Sequence, residues 1–205
     1  MAPVDGAAGG VTVETLRGSS AARWLPALAS LRIEVFREFP YLYEGSLQYE
    51  ETYLAGYARC PDAAIVIARD GERVIGAATA LPLVAHGEAV APPLVAAGHD
   101  PARVFYFGES VLLPAYRGRG LGHRFFDERE AAARDGWTVA AFCAVERPVD
   151  HPRRPAAYIA HDAFWTRRGY TRRPDIHTTF SWRDLDDPPG TESEKTMVFW
   201  VKELA

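Results

Sequence analysis

The sequence predicts an α+β fold in three layers: a mixed, mostly antiparallel central sheet that contains one parallel strand pair and carries helices on both faces. Three observations lead there. Apolar runs at residues 63–69 and 73–80 flank Asp70-Gly71, a dipeptide that tolerates positive φ and so marks an antiparallel hairpin. The run 104–113 is followed by a glycine-rich turn, a helical pattern and another buried strand pattern at 138–145; a helical crossover of this kind joins parallel neighbours. Two further β-rich runs, 176–182 and 196–201, surround a charged, proline-containing link.

Taken in order, residues 1–10, rich in alanine and glycine, read as a mobile tail, and residues 11–15 alternate apolar and polar as a half-buried strand does. Ser19 or Ser20 is placed to cap a helix in which Leu25, Leu28, Leu31, Val35 and Phe36 recur at helical spacing up to the break at Pro40. A second helix is expected over 47–57, after an unusually aromatic link at 39–46. Past the hairpin, residues 87–100 carry Pro92, Pro93 and several alanines, which predicts a short helix or an irregular excursion. In the 104–113 strand, aromatic and β-branched residues favour extended backbone and Pro114 ends it. Leu121, Phe125, Phe126 and Ala132 then recur at helical spacing, with Gly136 placed to end the helix. Residues 147–155 contain three prolines and no regular element, and helical spacing resumes over 156–168 until Gly169.

At 205 residues, 48% hydrophobic and 24% charged, with no internal repeat, residues 1–205 are expected to form one globular domain. The net charge of −4 and a pI near 5.9 argue against a protein that works by neutralising nucleic-acid phosphates, so no nucleic-acid partner is expected. The N-terminus lacks the pattern of a secretory signal, and no run reaches the roughly 18 apolar residues of a membrane span. A cytoplasmic protein with no membrane partner is expected. Cys60 and Cys143 lie far apart and form no metal-like cluster; they read as free thiols, and no metal is expected.

The loop Arg117-Gly118-Arg119-Gly120-Leu121-Gly122 lies between the predicted strand and helix. Glycines there let the backbone approach a ligand, and the unpaired N–H groups of the first helical turn favour phosphate. Arg117, Arg119, His123 and Arg124 add positive potential. The alternative, on these residues alone, is an ordinary glycine-rich connection beside a solvated basic turn. It is not a Walker loop, having no lysine, and the third glycine of a dinucleotide fingerprint falls on His123.

Preceded by Val111-Leu112-Leu113-Pro114, the loop resembles the signature of the GNAT superfamily of acyl-CoA-dependent N-acetyltransferases, Gln/Arg-x-x-Gly-x-Gly/Ala after a strand. The order of predicted elements is similar to that family's over nearly the whole chain. Phe164-Trp165-Thr166-Arg167-Arg168-Gly169-Tyr170 is likewise similar to its Phe-Tyr-Glu-Lys-x-Gly-Phe. The resemblance implies a parallel pair that splays apart and acetyl-CoA as co-substrate, its pyrophosphate held by Arg117, Gly118, Arg119 and Gly120 together with Leu121, Gly122 and His123. It also implies a bulge in the central strand that frees an N–H for the thioester oxygen; Val111, Leu112 and Leu113 occupy that stretch and would act through their backbone.

Acyl transfer needs a neutral amine, oxyanion stabilisation and a proton for the leaving thiolate. Glu109 is the sole carboxylate in the central strand; apolar surroundings would suit it to act as general base, the alternatives being an arginine-paired glutamate or a simple amine-binding group. Tyr106, on the same strand, is a second acceptor-side candidate that would orient a water. Where the family has its tyrosine proton donor this chain has Trp165, whose indole N–H cannot serve as a general acid. Trp165 is expected beside the pantetheine arm; either Tyr158 or His161, earlier in the same helix, is the donor, or the thiolate leaves unassisted. Tyr41, Tyr43 and Glu44 lie in the segment that in the family folds over the acceptor, and aromatics with carboxylates suit a cationic amine. Glu50 and Glu51 read as a solvated helix face. The resulting expectation is acetyl transfer, by direct attack in a ternary complex, to a primary amine of a small molecule or peptide, in a monomer or a homodimer. The competing readings are a catalytically silent acyl-CoA-binding module and a nucleotide-binding protein.

Overall fold

A computed structural model describes residues 10–86, 89–134 and 136–204; the expected tail, apart from Gly10, lies outside them. β1 (Thr12–Arg17) leads through a 3-10 turn to α1 (Leu25–Phe36) and α2 (Leu47–Arg59), and β2 (Ala64–Asp70) and β3 (Arg73–Pro82) form the expected hairpin. A short α3 (Ala91–Ala96) precedes β4 (Val104–Leu112), which is followed by α4 (Leu121–Ala133), β5 (Val139–Val145) and a short α5 (Asp162–Arg167). β6 (Thr171–Trp182) and β7 (Ser193–Glu203) come last. The seven strands form one sheet in the order β1-β2-β3-β4-β5-β7-β6, and β4/β5 is its parallel pair.

Local chemistry explains most boundaries. Gly71 turns the hairpin at φ +58°, and Ser46 caps α2 by accepting from the Tyr49 N–H at 3.3 Å. Ser20 does not cap α1; its hydroxyl donates to the Arg17 carbonyl at 2.6 Å within the 3-10 turn, and α1 starts later with Pro26 in its first turn, where a missing N–H costs nothing. α4 ends at Ala133, short of Gly136. α5 is six residues long, not the thirteen that the spacing over 156–168 suggested. Ile159, which contributed to that spacing, is 82% exposed, so the periodicity there marks no buried face. The two C-terminal strands reach past 176–182 and 196–201; the added residues, Arg172 and Arg173 on edge strand β6 and Lys195 on β7 among them, are polar apart from Pro174 and leave no apolar pattern to read.

One irregularity in β4 decides what the sheet presents. Ala78 pairs with Ser110 and Ala80 with Phe107, so three steps along β4 match two along β3 and one extra residue sits near Gly108-Glu109. An extra residue exchanges the faces of everything beyond it. Before the bulge Phe105 and Phe107 pack with Phe126 of α4, while Val104 and Tyr106 join the cluster of Leu94 on α3. Beyond it Glu109 turns to the α1–α2 side, and Ser110 and Leu112 turn to α4. Parallel pairing with β5 covers three residues, Val104 to Tyr106, and then stops. β5 continues on β7 and the bulged half of β4 continues on β3, so the two strands part.

Candidate active site

Where β4 and β5 part, a cleft of about 1230 Å³ opens, walled by Phe107–Ser110 on one strand and Phe142–Val145 on the other. One end is the glycine loop: Gly118, Gly120 and Gly122 line it with Leu112, Arg117 and His123. Gly118 and Gly120 have φ of +76° and +82°, a left-handed conformation that glycine adopts without strain, and Gly120 is the N-cap of α4. A Cβ on Gly118 or Gly120 would meet no protein atom within 4 Å, so the loop's backbone faces open space, as a phosphate cradle requires. The first N–H groups of α4 have no intrahelical partner.

The expected coenzyme residues divide. Arg117 lines the cleft, but its Nε donates to the Leu112 carbonyl at 3.0 Å and its Nη1 pairs with Glu38 at 2.8 Å, so its charge is already engaged. Arg119 lies over the Tyr116 ring, and the side chains of Val111, Leu113 and Leu121 pack in the core, off the cleft wall. The bulge lies at Gly108-Glu109, not at Val111-Leu112. The Leu113 N–H points back to the Ile75 carbonyl at 2.9 Å, so by alternation the Leu112 backbone faces the opening. Trp165 is on the wall, with edge contacts to Phe142 and Trp200 at 5.1 Å each.

Glu109 reaches the cleft, but its surroundings are not apolar. Its Oε2 lies 2.6 Å from Arg32 Nη1 and accepts from the Tyr53 hydroxyl at 3.1 Å, and its side chain is 6% exposed. The Nε of the same Arg32 donates to Glu50, which is fully buried and no part of a solvated helix face. Two carboxylates therefore share one guanidinium. Burial, then the charge of Glu109, holds the phenols of Tyr53 and Tyr57 above their ordinary range, so both remain neutral.

Of the acceptor candidates, Tyr41 lines the cleft and its carbonyl accepts from Arg147 and Trp182. Tyr43 and Glu44 do not line it: Tyr43 forms a bridge to Asp184, and Glu44 pairs with Arg37 at 2.9 Å. Tyr106 shares the sheet face of Glu109 but does not line the cleft; it is 2% exposed, with its hydroxyl 3.1 Å from Cys143 Sγ. Tyr158 lines the cleft from an irregular segment and not from a helix, edge-on to Phe39 at 4.7 Å, and burial raises its phenol. His161 is the N-cap of α5, and burial lowers its imidazole. Two groups drew no functional expectation from the sequence: the half-buried Arg147 and the buried Arg129. Arg129 carried a signal, since it follows Phe125 by four residues and Phe126 by three and so falls on the apolar stripe of α4.

No curated protein sequence matches the chain. Among solved structures it is similar to a ribosomal-protein-alanine N-acetyltransferase from Brucella melitensis, at 15% identity and a TM-score of 0.60 over 93% of this chain and 99% of that one. It is also similar to an N-acetyltransferase from Staphylococcus aureus Mu50, at 10% identity and a TM-score of 0.61 over 96% and 99%. An acetyltransferase from Streptococcus agalactiae 2603 aligns at 16% identity and a TM-score of 0.57 over 94% and 98%. The model of the acetyltransferase (GNAT) family matches residues 28–156, more than half of the sequence. That span holds the parting strands, the glycine loop and the helix behind it, and the chain belongs to the GNAT acetyltransferase family.

Proposed function

We propose that this single domain transfers an acetyl group from acetyl-CoA to a primary amine of a small molecule or peptide, by direct attack in a ternary complex in the cytoplasm. One observation carries the reading: the same cleft runs past Gly118, Gly120 and Gly122 and past Phe39, Tyr41 and Tyr158, so donor and acceptor have one cavity to share. The coenzyme supplies an activated acyl group with a thiolate as leaving group. The amine nitrogen bonds to the acyl carbon, the carbonyl electrons move onto oxygen, and collapse expels the thiolate. Glu109 takes the amine's proton. Its negative charge is not fully cancelled, because Arg32 serves Glu50 as well, and this favours an ammonium beside it in the cleft.

Thiol release from acetyl-CoA in the presence of a panel of amines tests the reaction, and binding without release would leave the silent module. The coenzyme site has its own test. Gly122 needs no positive φ, and a Cβ there meets only Phe164 Cζ at 3.7 Å, so Gly122→Val should fold. It should nevertheless lose most of the melting shift that CoA gives the wild type, because the side chain fills the backbone's approach to phosphate. Tyr158 is assigned the proton for sulfur; its hydroxyl has no hydrogen bond among the described residues. Tyr158→Phe should lower kcat about 10- to 100-fold with the CoA melting shift intact, and full activity would remove the assignment.

A further inference from the structure

Arg129 on α4 is 2% exposed, yet it forms part of the cleft wall beside Phe107 and the bulge. Its guanidinium lies between the rings of Phe107 and Phe126, at 4.3 and 4.7 Å. Nε donates to the Phe125 carbonyl at 3.1 Å, Nη1 to the carbonyls of Glu109 at 3.1 Å and Thr79 at 3.4 Å, and Nη2 to Ser110 Oγ at 2.7 Å. These bonds use four of a guanidinium's five N–H groups, and the fifth, on Nη2, has no partner among the described residues. Among the described residues, no carboxylate pairs with it, whereas Arg32, Arg147 and Arg168 each have one.

A buried charge without a counter-charge costs several kcal/mol, and an amide of similar reach would satisfy some of the same oxygens without that cost. Burial pulls this guanidinium down to about 10, which still leaves it cationic at neutral pH. Because its folded value is depressed, the charged form opposes folding at every pH below that value, so stability does not explain the charge. The negative charge it lacks must arrive with the reactants. Arg129 lines the cleft together with Gly108–Ser110, where β4 leaves β5, and an acyl carbonyl must lie there if Glu109 is to deprotonate its attacker.

We propose that Arg129 is a catalytic residue whose charge and remaining Nη2 donor stabilise the oxyanion formed at the acyl carbon. The role rests on the acetyl-transfer reading. As nitrogen bonds to carbon the carbonyl π pair moves to oxygen; Arg129 opposes that charge, and the pair returns as the C–S bond breaks and the thiolate leaves with its electrons. A donor prepositioned in this way commonly contributes a factor of about 100 to 1,000 in rate.

The test compares wild type, Arg129→Gln and Arg129→Lys of the full chain in thiol release with the best amine of the panel, alongside the melting shift given by CoA. Arg129→Gln is expected to lose about 100-fold in kcat with its KM for acetyl-CoA within about threefold of wild type, and Arg129→Lys to recover at least about tenfold of that loss. A folded Gln variant with kcat near wild type, a Lys variant no better than Gln, or loss of the CoA melting shift in both would overturn the role. If the Gln variant does not fold, Arg129→Lys decides alone: a loss of about tenfold with CoA binding kept supports the role, and full activity overturns it. A wild type that binds CoA but releases thiol with none of the amines removes the underlying reading and this role with it, whereas an active wild type matched by the Gln variant removes only the role of Arg129.

Discussion

Glu109→Gln should lower kcat by about 100-fold or more at neutral pH while CoA raises the melting temperature as much as in wild type. The substitution keeps the shape and one acceptor oxygen toward Arg32 and Tyr53, so the architecture that turns Glu109 to the α1–α2 side survives. It removes the group that can hold a proton. The loss should shrink as pH rises, because an amine that is already neutral no longer needs a base. A loss of equal size at every pH would mark Glu109 as a binding group for the ammonium, the role its pairing with Arg32 also allows. Steady-state profiles of kcat and of the acceptor KM between neutral and alkaline pH separate the two outcomes.

Arg32→Met should cost about 3–5 kcal/mol of stability at neutral pH, since it strands the buried carboxylates of Glu50 and Glu109 together. In a chain of this size that corresponds to a fall of roughly 6–20 °C in Tm. The sign in the wild type is clear. Burial alone would pull the Arg32 guanidinium down, but the charges of Glu109 and Glu50 and the hydrogen bond to Glu50 outweigh it and hold it above its ordinary value. A base raised in this way contributes stability that is complete below its unfolded value, hence at any ordinary pH, and is lost only as pH climbs past the folded one. In the variant, protonating either carboxylate removes unpaired charge, so the deficit should narrow as pH is lowered. Thermal melts of wild type and variant across the acidic range measure this. A deficit independent of pH would mean that lost packing against Phe36 and Tyr53, not stranded charge, is what the arginine supplies.

Much of this protein is written locally. Asp70-Gly71 specifies the hairpin because few dipeptides accept its backbone, and the apolar run before Pro114 with Gly118, Gly120 and Gly122 after it specifies strand, turn and helix in that order. Those elements, read in sequence, were enough to expect a mixed sheet with one parallel pair, and the structure has that sheet. What a linear reading could not provide is register. Apolar alternation in β4 does not announce the extra residue near Gly108, where an added Cβ would stand 2.2 Å from the Tyr57 hydroxyl; the bulge follows from how α2 and β3 pack against that backbone. That one residue decides that Glu109 meets Arg32 and that Ser110 meets Arg129. Likewise Glu50 resembles any helix-surface glutamate until α1 brings Arg32 against it, and Tyr43 and Glu44 resemble pocket residues until residues 183–185 draw their backbone aside. The sequence by itself determined the elements and the glycine loop, because backbone preferences and turn chemistry act over a few residues. Which charges meet at the parting of β4 and β5 was decided by tertiary structure alone, since ion pairing in a buried site depends on side chains that are 18 to 77 positions apart in Arg32, Glu50 and Glu109.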